Sequence, residues 1–214
     1  MSRPRSRSST ALRDIYRRLF GAFGPQHWWP GDTPLEIAVG AILTQNTAWA
    51  NVEKAIAVLR SRRLLTLPRL ARLSPAALAP LIRSAGFYNV KARRLTEFLQ
   101  WLKASGGFAG LRRMSTEELR SSLLTCNGVG PETADSILLY ALGRQVFVVD
   151  AYTRRILSRY GLIAGDEPYE HLRLTFETSL PHSSKLYNEY HALLVRLAKA
   201  NCRSRPACDS CPLA

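Results

Sequence analysis

Three sets of residues carry side chains that can do chemistry. The first is Asp150, which follows four apolar residues and opens a helical stretch. An Asp in that position is typical of a helix N-cap, but its carboxylate can also stabilise developing positive charge or deprotonate a nucleophile. The second set is a group of cysteines at residues 202–211, and the third is a group of tryptophans at residues 28–49.

The cysteines have the spacing of a ligand set. Cys202, Cys208 and Cys211 form a C-x5-C-x2-C pattern that is followed by Pro212, while Cys126 stands apart. Disulfides are not expected, because the first ten residues have no hydrophobic stretch of the kind that directs export. Closely spaced thiolates followed by proline indicate an iron–sulfur or zinc site.

Trp28, Trp29 and Trp49 fall within 22 residues of sequence. Indole faces attract cations, so a sandwich of such rings favours a ligand that alkylation has made positive. Packing in a core or between lobes is at least as common a role for tryptophan. Both interpretations stay open from the residues alone.

A short glycine-containing segment, Gly128-Val129-Gly130-Pro131, interrupts two helical stretches. Glycine takes positive φ and lets backbone N–H groups approach a phosphate, helped by the positive end of the next helix. Val129 would plug the hairpin into the core, and Ala134 would let the two helices approach closely. The alternative is an ordinary helix–helix turn.

The charge of the chain favours a polyanionic partner. The 214 residues include 30 Lys plus Arg against 16 Asp plus Glu, a net charge of +14, and only five of the basic residues are lysines. Arginine suits bidentate phosphate contact and stacking on bases, so we expect a nucleic acid; a generally basic surface is the alternative. The apolar fraction of 46% supports a real core, and no uncharged apolar run is long enough for a membrane span.

The elements that must position these residues are helices, so we predict an all-α fold. The i, i+3, i+4 spacing of apolar residues runs through most of the chain. Thr33 and Ser115 open capping boxes, Ser74 starts a helix that Pro80 should bend, and residues 146–149 form a buried connector. The predicted helices cover about residues 12–23, 34–43, a stretch after Thr47 that includes Leu59, and residues 75–85, 90–103, 116–124, 131–142, 150–160 and 185–200.

The hairpin and Asp150, twenty residues after Gly130, resemble the helix-hairpin-helix DNA glycosylase superfamily that includes endonuclease III. The resemblance extends over most of the chain. Residues 43–47 (LTQNT) are similar to the segment whose glutamine, here Gln45, fills the gap left by a flipped nucleotide. Residues 86–92 (GFYNVKA) are similar to the loop that wedges an apolar side chain, here Phe87, into the duplex.

This resemblance implies two helical lobes, one of six helices at residues 30–140 and one formed by residues 1–29 and 141–214. Double-stranded DNA with damaged bases would lie across both lobes, the base would enter the cleft between them, and Asp150 would drive excision. The residues assigned to DNA contact are Gln45, Phe87, Asn127, Gly128, Val129, Gly130, Thr133, Arg203 and Arg205. We expect a monomer in the cytoplasm, associated with the nucleoid and not with membrane.

One departure from the family decides the reaction. Endonuclease III cuts the backbone through a lysine amine two residues after the second glycine of the hairpin, and this chain has Glu132 there. A carboxylate cannot form a Schiff base, so we predict a monofunctional glycosylase that uses water. Glu132 either positions that water or is a solvated residue of the first helical turn.

The substrate prediction also comes from a resemblance. Residues 27–30 (HWWP), 43–47 and 148–150 are similar to the 3-methyladenine DNA glycosylase III branch, which lacks the lysine and stacks alkylated purines between aromatic rings. Trp28 and Trp49 are the expected stacking pair, with Trp29 also in the pocket. The alternatives are an endonuclease III-like glycosylase and lyase for oxidised pyrimidines, and a protein that binds lesions without excising them.

Endonuclease III relatives hold a [4Fe–4S] cluster through C-x6-C-x2-C-x5-C, so the resemblance implies such a cluster on Cys202, Cys208 and Cys211. Here the first spacer is one residue shorter, and no fourth Cys follows Cys211. A truncated chain, a ligand other than Cys, a degenerate site and a zinc site are the open explanations. Cys126 is not expected to be the fourth ligand, because the hairpin should face DNA.

Overall fold

The computed structural model describes residues 4–28 and 31–214. Every regular element in that part of the chain is helical, which confirms the all-α prediction. The chain folds into two compact units, Trp29–Leu142 and Met1–Trp28 with Gly143–Ala214. In the described ranges no helix combines the length and the apolar character that crossing a membrane requires.

Twelve α-helices are described, together with a 3₁₀-helix, Ala79–Ala85, and a π-helix, Ile137–Ala141, that continue two of them. In chain order they are α1 Pro4–Phe23, α2 Pro34–Leu43, α3 Trp49–Ser61, α4 Leu67–Leu70, α5 Pro75–Leu78, α6 Tyr88–Ala104, α7 Gly107–Leu111, α8 Thr116–Leu124, α9 Pro131–Ser136, α10 Ala151–Arg159, α11 Tyr169–Ser179 and α12 Ser184–Ala200.

Helix α2 forms the centre of the unit Trp29–Leu142. Most of its residues are buried, because its sequence is apolar on all sides. Thr33 caps it by accepting a hydrogen bond from the Glu36 N–H at 3.2 Å. The predicted capping box is only half correct, since the Glu36 carboxylate accepts from Arg60 at 2.6 Å instead.

Two other sequence signals in this unit are confirmed. Ser115 and Glu118 form a complete capping box at the start of α8. The helix that starts after Ser74 changes to 3₁₀ geometry at Ala79 and kinks at Ile82, because Pro80 removes a backbone donor.

The second unit is built on α1, α10, α11 and α12. Helix α1 packs on α11 and α12, and the Tyr190 hydroxyl donates to the Leu12 carbonyl at 2.7 Å. The connector at residues 146–149 is buried, and the ring of Phe147 stacks on Phe176 with centroids 3.8 Å apart. This packing fixes the backbone that leads directly into Asp150.

Candidate active site and nucleic-acid interface

The glycine hairpin lies between α8 and α9. Gly128 has φ +82°, and a Cβ there would meet the Arg94 side chain at 2.3 Å, so only glycine fits. Gly130 has φ −87° and open space around it, so the expectation of positive φ is wrong for this second glycine. Val129 is buried, and Ala134 is fully buried where α8 and α9 pack together.

Gln45 is held by three hydrogen bonds within the same unit. Its Nε2 donates to the Gly128 carbonyl at 2.8 Å and to the Thr133 hydroxyl at 3.0 Å. Its Oε1 accepts from Arg94 at 2.6 Å. Gln45 therefore links its own loop to the hairpin and to α6, and its insertion into DNA stays a prediction.

Phe87 occupies an exposed tip. It is 71% exposed and has a left-handed backbone, φ +45°, immediately after Gly86 with φ +67°. Large exposed aromatic side chains and non-glycine residues with positive φ are both uncommon. The loop is thus shaped to present an apolar ring to the outside of the unit.

Lys91 joins the base of the Phe87 loop to the base of the Gln45 loop. Its side chain is 2% exposed, and its Nζ donates to the carbonyls of Leu43 at 2.9 Å and Ala85 at 2.7 Å. Burial and the neighbouring Arg94 charge lower the pKa of Lys91. Both acceptors lie at helix ends, where backbone carbonyls need a donor.

Asp150 caps α10, as one interpretation of the sequence suggested. Its Oδ1 accepts from the Thr153 N–H at 2.7 Å and from the Thr153 hydroxyl at 2.8 Å. Its side chain is 15% exposed, so a small part of it remains accessible to solvent. A cap does not exclude catalysis, because Oδ2 takes no part in it.

His191 lies on the other side of this carboxylate. The Nε2 of His191, on a buried part of α12, is 3.5 Å from Oδ2 of Asp150. The ring of Trp28 lies next to the imidazole, with centroids 5.8 Å apart and an interplanar angle of 31°. One unit therefore brings together a carboxylate, an imidazole and one of the three predicted pocket tryptophans.

The environment keeps Asp150 ionised. Burial acts to raise the pKa of its carboxyl, but the neighbouring His191 and the hydrogen bonds from Thr153 outweigh that effect and lower it. The carboxylate form is the one that stabilises a cationic transition state. The site is thus prepared for charge stabilisation at neutral pH.

Glu132 lies in the first turn of α9 and is exposed. That position agrees with a residue favoured by the helix dipole. Three residues later, Asp135 is fully buried and forms a bidentate ion pair with Arg120, at 2.6 and 3.1 Å. Asp135 therefore belongs to the core that holds α8 against α9.

The remaining predicted pocket residues are placed separately. Trp49 starts α3, its indole N–H donates to Glu53 at 3.0 Å, and its ring packs where Gly40 has no side chain. Trp29 lies outside the described residues. The pairing of Trp28 with Trp49 around a base stays a prediction.

Cys202, Cys208 and Cys211 line one cavity of about 180 Å³ at the end of the chain. The wall otherwise includes apolar side chains such as Ile156 and Leu197. In residues 4–28 and 31–214, no three His, Cys, Asp or Glu side chains are grouped closely enough to hold a metal ion. Thiolates that share a cavity are the ligand type that an iron–sulfur cluster takes. In this structure the three thiols line the cavity without lying close enough together to bind one ion.

The cysteine loop is attached to α10. Arg155 donates to the Cys202 carbonyl at 2.9 Å, and Arg159 donates to the Cys202 sulfur at 3.5 Å. Arg203 and Arg205, predicted to contact phosphate, are exposed on this loop.

Cys126 and Asn127 lie in the other unit, at the hairpin. Burial, with the Glu97 charge, raises the pKa of the Cys126 thiol to about 11, so it is protonated at neutral pH. Asn127 is exposed and makes a 3.4 Å contact with Glu97.

Sequence patterns did not assign functional roles to His191, Thr153, Lys91 or Arg94. The four histidines show no ligand spacing, and His191 was expected in a surface or core role. Its burial agrees with a core residue, but 41 positions separate it from Asp150 in the sequence. The one available signal was Thr153, three residues after an N-cap, where a hydroxyl often supports the cap.

A glycine hairpin between two helices, followed by a capped aspartate, is the arrangement of helix-hairpin-helix DNA-repair proteins. The chain belongs to the HhH-GPD superfamily of base excision DNA repair proteins, whose family model matches residues 39–182. This confirms the family that the sequence motifs indicated.

Individual relatives agree with this placement. The putative DNA repair glycosylase MJ1434 of Methanocaldococcus jannaschii is 46% identical over 202 residues, which cover 93% of this chain and 92% of that protein. The crystal structure of H. pylori 3-methyladenine DNA glycosylase (MagIII) bound to 1,N6-ethenoadenine is similar with TM-score 0.72 and 29% identity, covering 89% of this chain and 95% of that one. A trapped endonuclease III–DNA covalent intermediate has the same fold, with TM-score 0.81, 22% identity and coverage of 96% and 93%.

Proposed function

We propose that this base excision repair protein is a monofunctional DNA N-glycosylase for alkylated, 3-methyladenine-type bases. The observation that carries the proposal is the arrangement around Asp150. Its carboxylate is ionised, fixed by Thr153 on one oxygen and partly open, and it lies in the same cluster as the Trp28 ring.

Asp150 acts on the sugar. When the bond between the anomeric carbon and the base nitrogen breaks, the electron pair leaves with the base and the sugar gains oxocarbenium character. The Asp150 carboxylate stabilises that charge, and water then adds to the anomeric carbon and loses a proton. The products are the free base and an intact abasic strand.

The placement of the amines supports hydrolysis by water. Glu132 stands where bifunctional relatives have a lysine, and Lys91 is buried with its Nζ on two carbonyls. Lys185 and Lys199 are on the same helix as His191, but they lie six residues before it and eight residues after it, about 9 Å and 12 Å along the axis. These positions argue against a Schiff base to the sugar carbon that Asp150 faces.

Alkylated bases suit this site better than neutral oxidised ones. Alkylation at N3 makes a purine positive, so it attracts an indole face and leaves without strong acid assistance. Trp28 supplies such a face beside the catalytic cluster. MagIII, a 3-methyladenine DNA glycosylase, was crystallised with the modified base 1,N6-ethenoadenine, which supports a purine pocket in this branch.

The DNA-facing parts of the other unit open the duplex. Phe87 is proposed to enter the base stack, because its ring is exposed on a constrained tip. The hairpin, through Gly128 and Gly130, is proposed to hold a phosphate. Gln45 is bonded to the hairpin and to Arg94 of α6. Its proposed entry into the space left by a flipped nucleotide therefore requires that these three hydrogen bonds be exchanged for bonds to bases.

The cysteine cavity is proposed to hold an iron–sulfur cluster through Cys202, Cys208 and Cys211. Such a cluster would cross-link the loop that carries Arg203 and Arg205, and it takes no part in the hydrolysis. Iron and sulfide analysis of the purified protein, with Cys211→Ser compared, tests this directly; zinc in place of iron would refute it.

The proposed reaction is tested by Asp150→Asn. Asparagine caps helices as well as aspartate, so the variant should fold and bind DNA with near-normal affinity while excision from methylated duplex falls by at least about 100-fold. Asp166→Asn, at an exposed aspartate, is the matched control. Retained turnover in Asp150→Asn would refute the catalytic role.

A further inference from the structure

The Asp150 carboxylate is contacted from two sides by side chains of different elements. Thr153, in the first turn of α10, holds Oδ1 through its N–H and its hydroxyl. Oδ2 faces the Nε2 of His191, which α12 supplies at 3.5 Å. The separation is longer than that of a good hydrogen bond, so Nε2 and Oδ2 make a polar contact that a small shift of either side chain would shorten.

The burial of His191 argues for more than packing. The residue is 5% exposed, and its Nε2 is shielded from solvent. Placing a polar nitrogen inside a protein is unfavourable unless a polar group faces it, and Oδ2 of Asp150 faces Nε2 at 3.5 Å. A purely structural position on α12 would be filled at lower cost by an apolar side chain of similar volume.

Trp28 restricts the imidazole from a further side. Its ring lies 5.8 Å from the His191 ring at a shallow angle, which limits how far the imidazole can rotate away from the carboxylate. The order Trp28, His191, Asp150, Thr153 thus runs from the proposed base-binding ring to the helix cap. Each member contacts the next.

We propose that His191 is a positioning residue for the glycosylase reaction: it fixes Oδ2 of Asp150 and so holds the carboxylate in the orientation that faces the sugar. This proposal rests on the catalytic role proposed for Asp150. His191 does not touch the reacting atoms, and it acts by holding the rotamer and the charged form of the carboxylate.

Two substitutions separate positioning from packing. His191→Phe keeps a ring against Trp28 but removes the nitrogen, whereas His191→Gln keeps an N–H donor near the place of Nε2. The expected result for His191→Phe is a fall of about 10- to 100-fold in the single-turnover rate of base release, the usual range for losing a residue that orients a functional group. Affinity for abasic-site duplex should change by less than about twofold, and His191→Gln should recover a substantial part of the rate.

The double variant Asp150→Asn/His191→Phe completes the experiment. If His191 acts through Asp150, removing it from Asp150→Asn lowers the residual rate no further. An unchanged rate in His191→Phe would overturn the inference, as would a loss of equal size in both backgrounds or a parallel loss of DNA affinity and thermal stability. Full activity in Asp150→Asn itself would instead overturn the proposed function, so the two failures are distinguishable.

Discussion

Lys91→Met is the perturbation that most directly tests how the two DNA-facing loops are held. Methionine has nearly the length of the lysine side chain and fills the same buried space, but it donates no hydrogen bond. The carbonyls of Leu43 and Ala85 would lose the donor that now lies 2.9 and 2.7 Å away. Each of these carbonyls belongs to a residue two positions before a side chain that is predicted to enter DNA, Gln45 or Phe87.

The magnitude follows from those two contacts. Leaving a buried acceptor without a donor costs about 1–3 kcal/mol, so the two together cost about 2–6 kcal/mol. Part of this loss in stability is offset, because the variant no longer buries an ammonium group. We expect a net loss of about 2 kcal/mol in the free energy of unfolding, which for a chain of this size lowers Tm by about 4–8 °C.

Thermal unfolding and single-turnover base release form the assay. Lys103→Met is the matched control, because Lys103 is on the same helix and exposed; its Tm should change by about 1 °C or less. Lys91→Met should also slow excision more than it weakens binding to undamaged duplex, since the hairpin is untouched. A Tm equal to or above that of the wild type would refute the reasoning about the two carbonyls.

Three further predictions concern single features. Gly128→Ala should destabilise the unit and weaken duplex binding, whereas Gly130→Ala should fold normally. Of these two glycines, only Gly128 has a left-handed φ and a neighbour that a Cβ would overlap. Circular dichroism and binding titrations compare the two variants, and equal behaviour would contradict the hairpin geometry. The Asp150 carboxyl has a lowered pKa, so its stability contribution is present above the unfolded pKa of about 3.9 and is lost as pH falls through the lower folded value. Base release should therefore show no loss from protonation of Asp150 between about pH 8 and 5; a fall that follows a carboxyl titration in that window would disprove it. Asp135→Asn should cost about 3 kcal/mol in urea unfolding, because it leaves Arg120 without its buried charge partner, and a loss below about 1 kcal/mol would refute that role.

Local signals predicted the elements on which the functional residues lie. Three helices begin at the expected N-caps, Thr33, Ser115 and Asp150. These positions could be predicted because an N-cap depends on residues that are close in sequence. The hairpin was visible for the same reason: the glycines interrupt two helices within a few positions. Pro80 marked the change to 3₁₀ geometry.

Packing between distant segments was not accessible from local patterns. The pairing of Glu36 with Arg60, and that of Asp150 with His191, depends on tertiary structure that no short spacing encodes. Lys91 shows this most clearly: helical spacing places it on the buried face with Leu95 and Phe98, but no local pattern reveals the two carbonyls to which its Nζ donates. Helices α4 and α7 were missed because four or five residues are too few to establish a helical period. Helix α11 was missed as well, since only two of its buried residues, Leu172 and Phe176, are apolar.

The measurement that tests the central claim most directly is release of labelled base from methylated duplex DNA by the purified protein, with the product strand examined before and after alkali. We expect free methylated purine, a strand that is cleaved only by alkali, and no protein–DNA adduct after borohydride. Strand cleavage without alkali together with a trapped adduct would contradict hydrolysis by water. Absence of base release would contradict the alkylated-purine assignment.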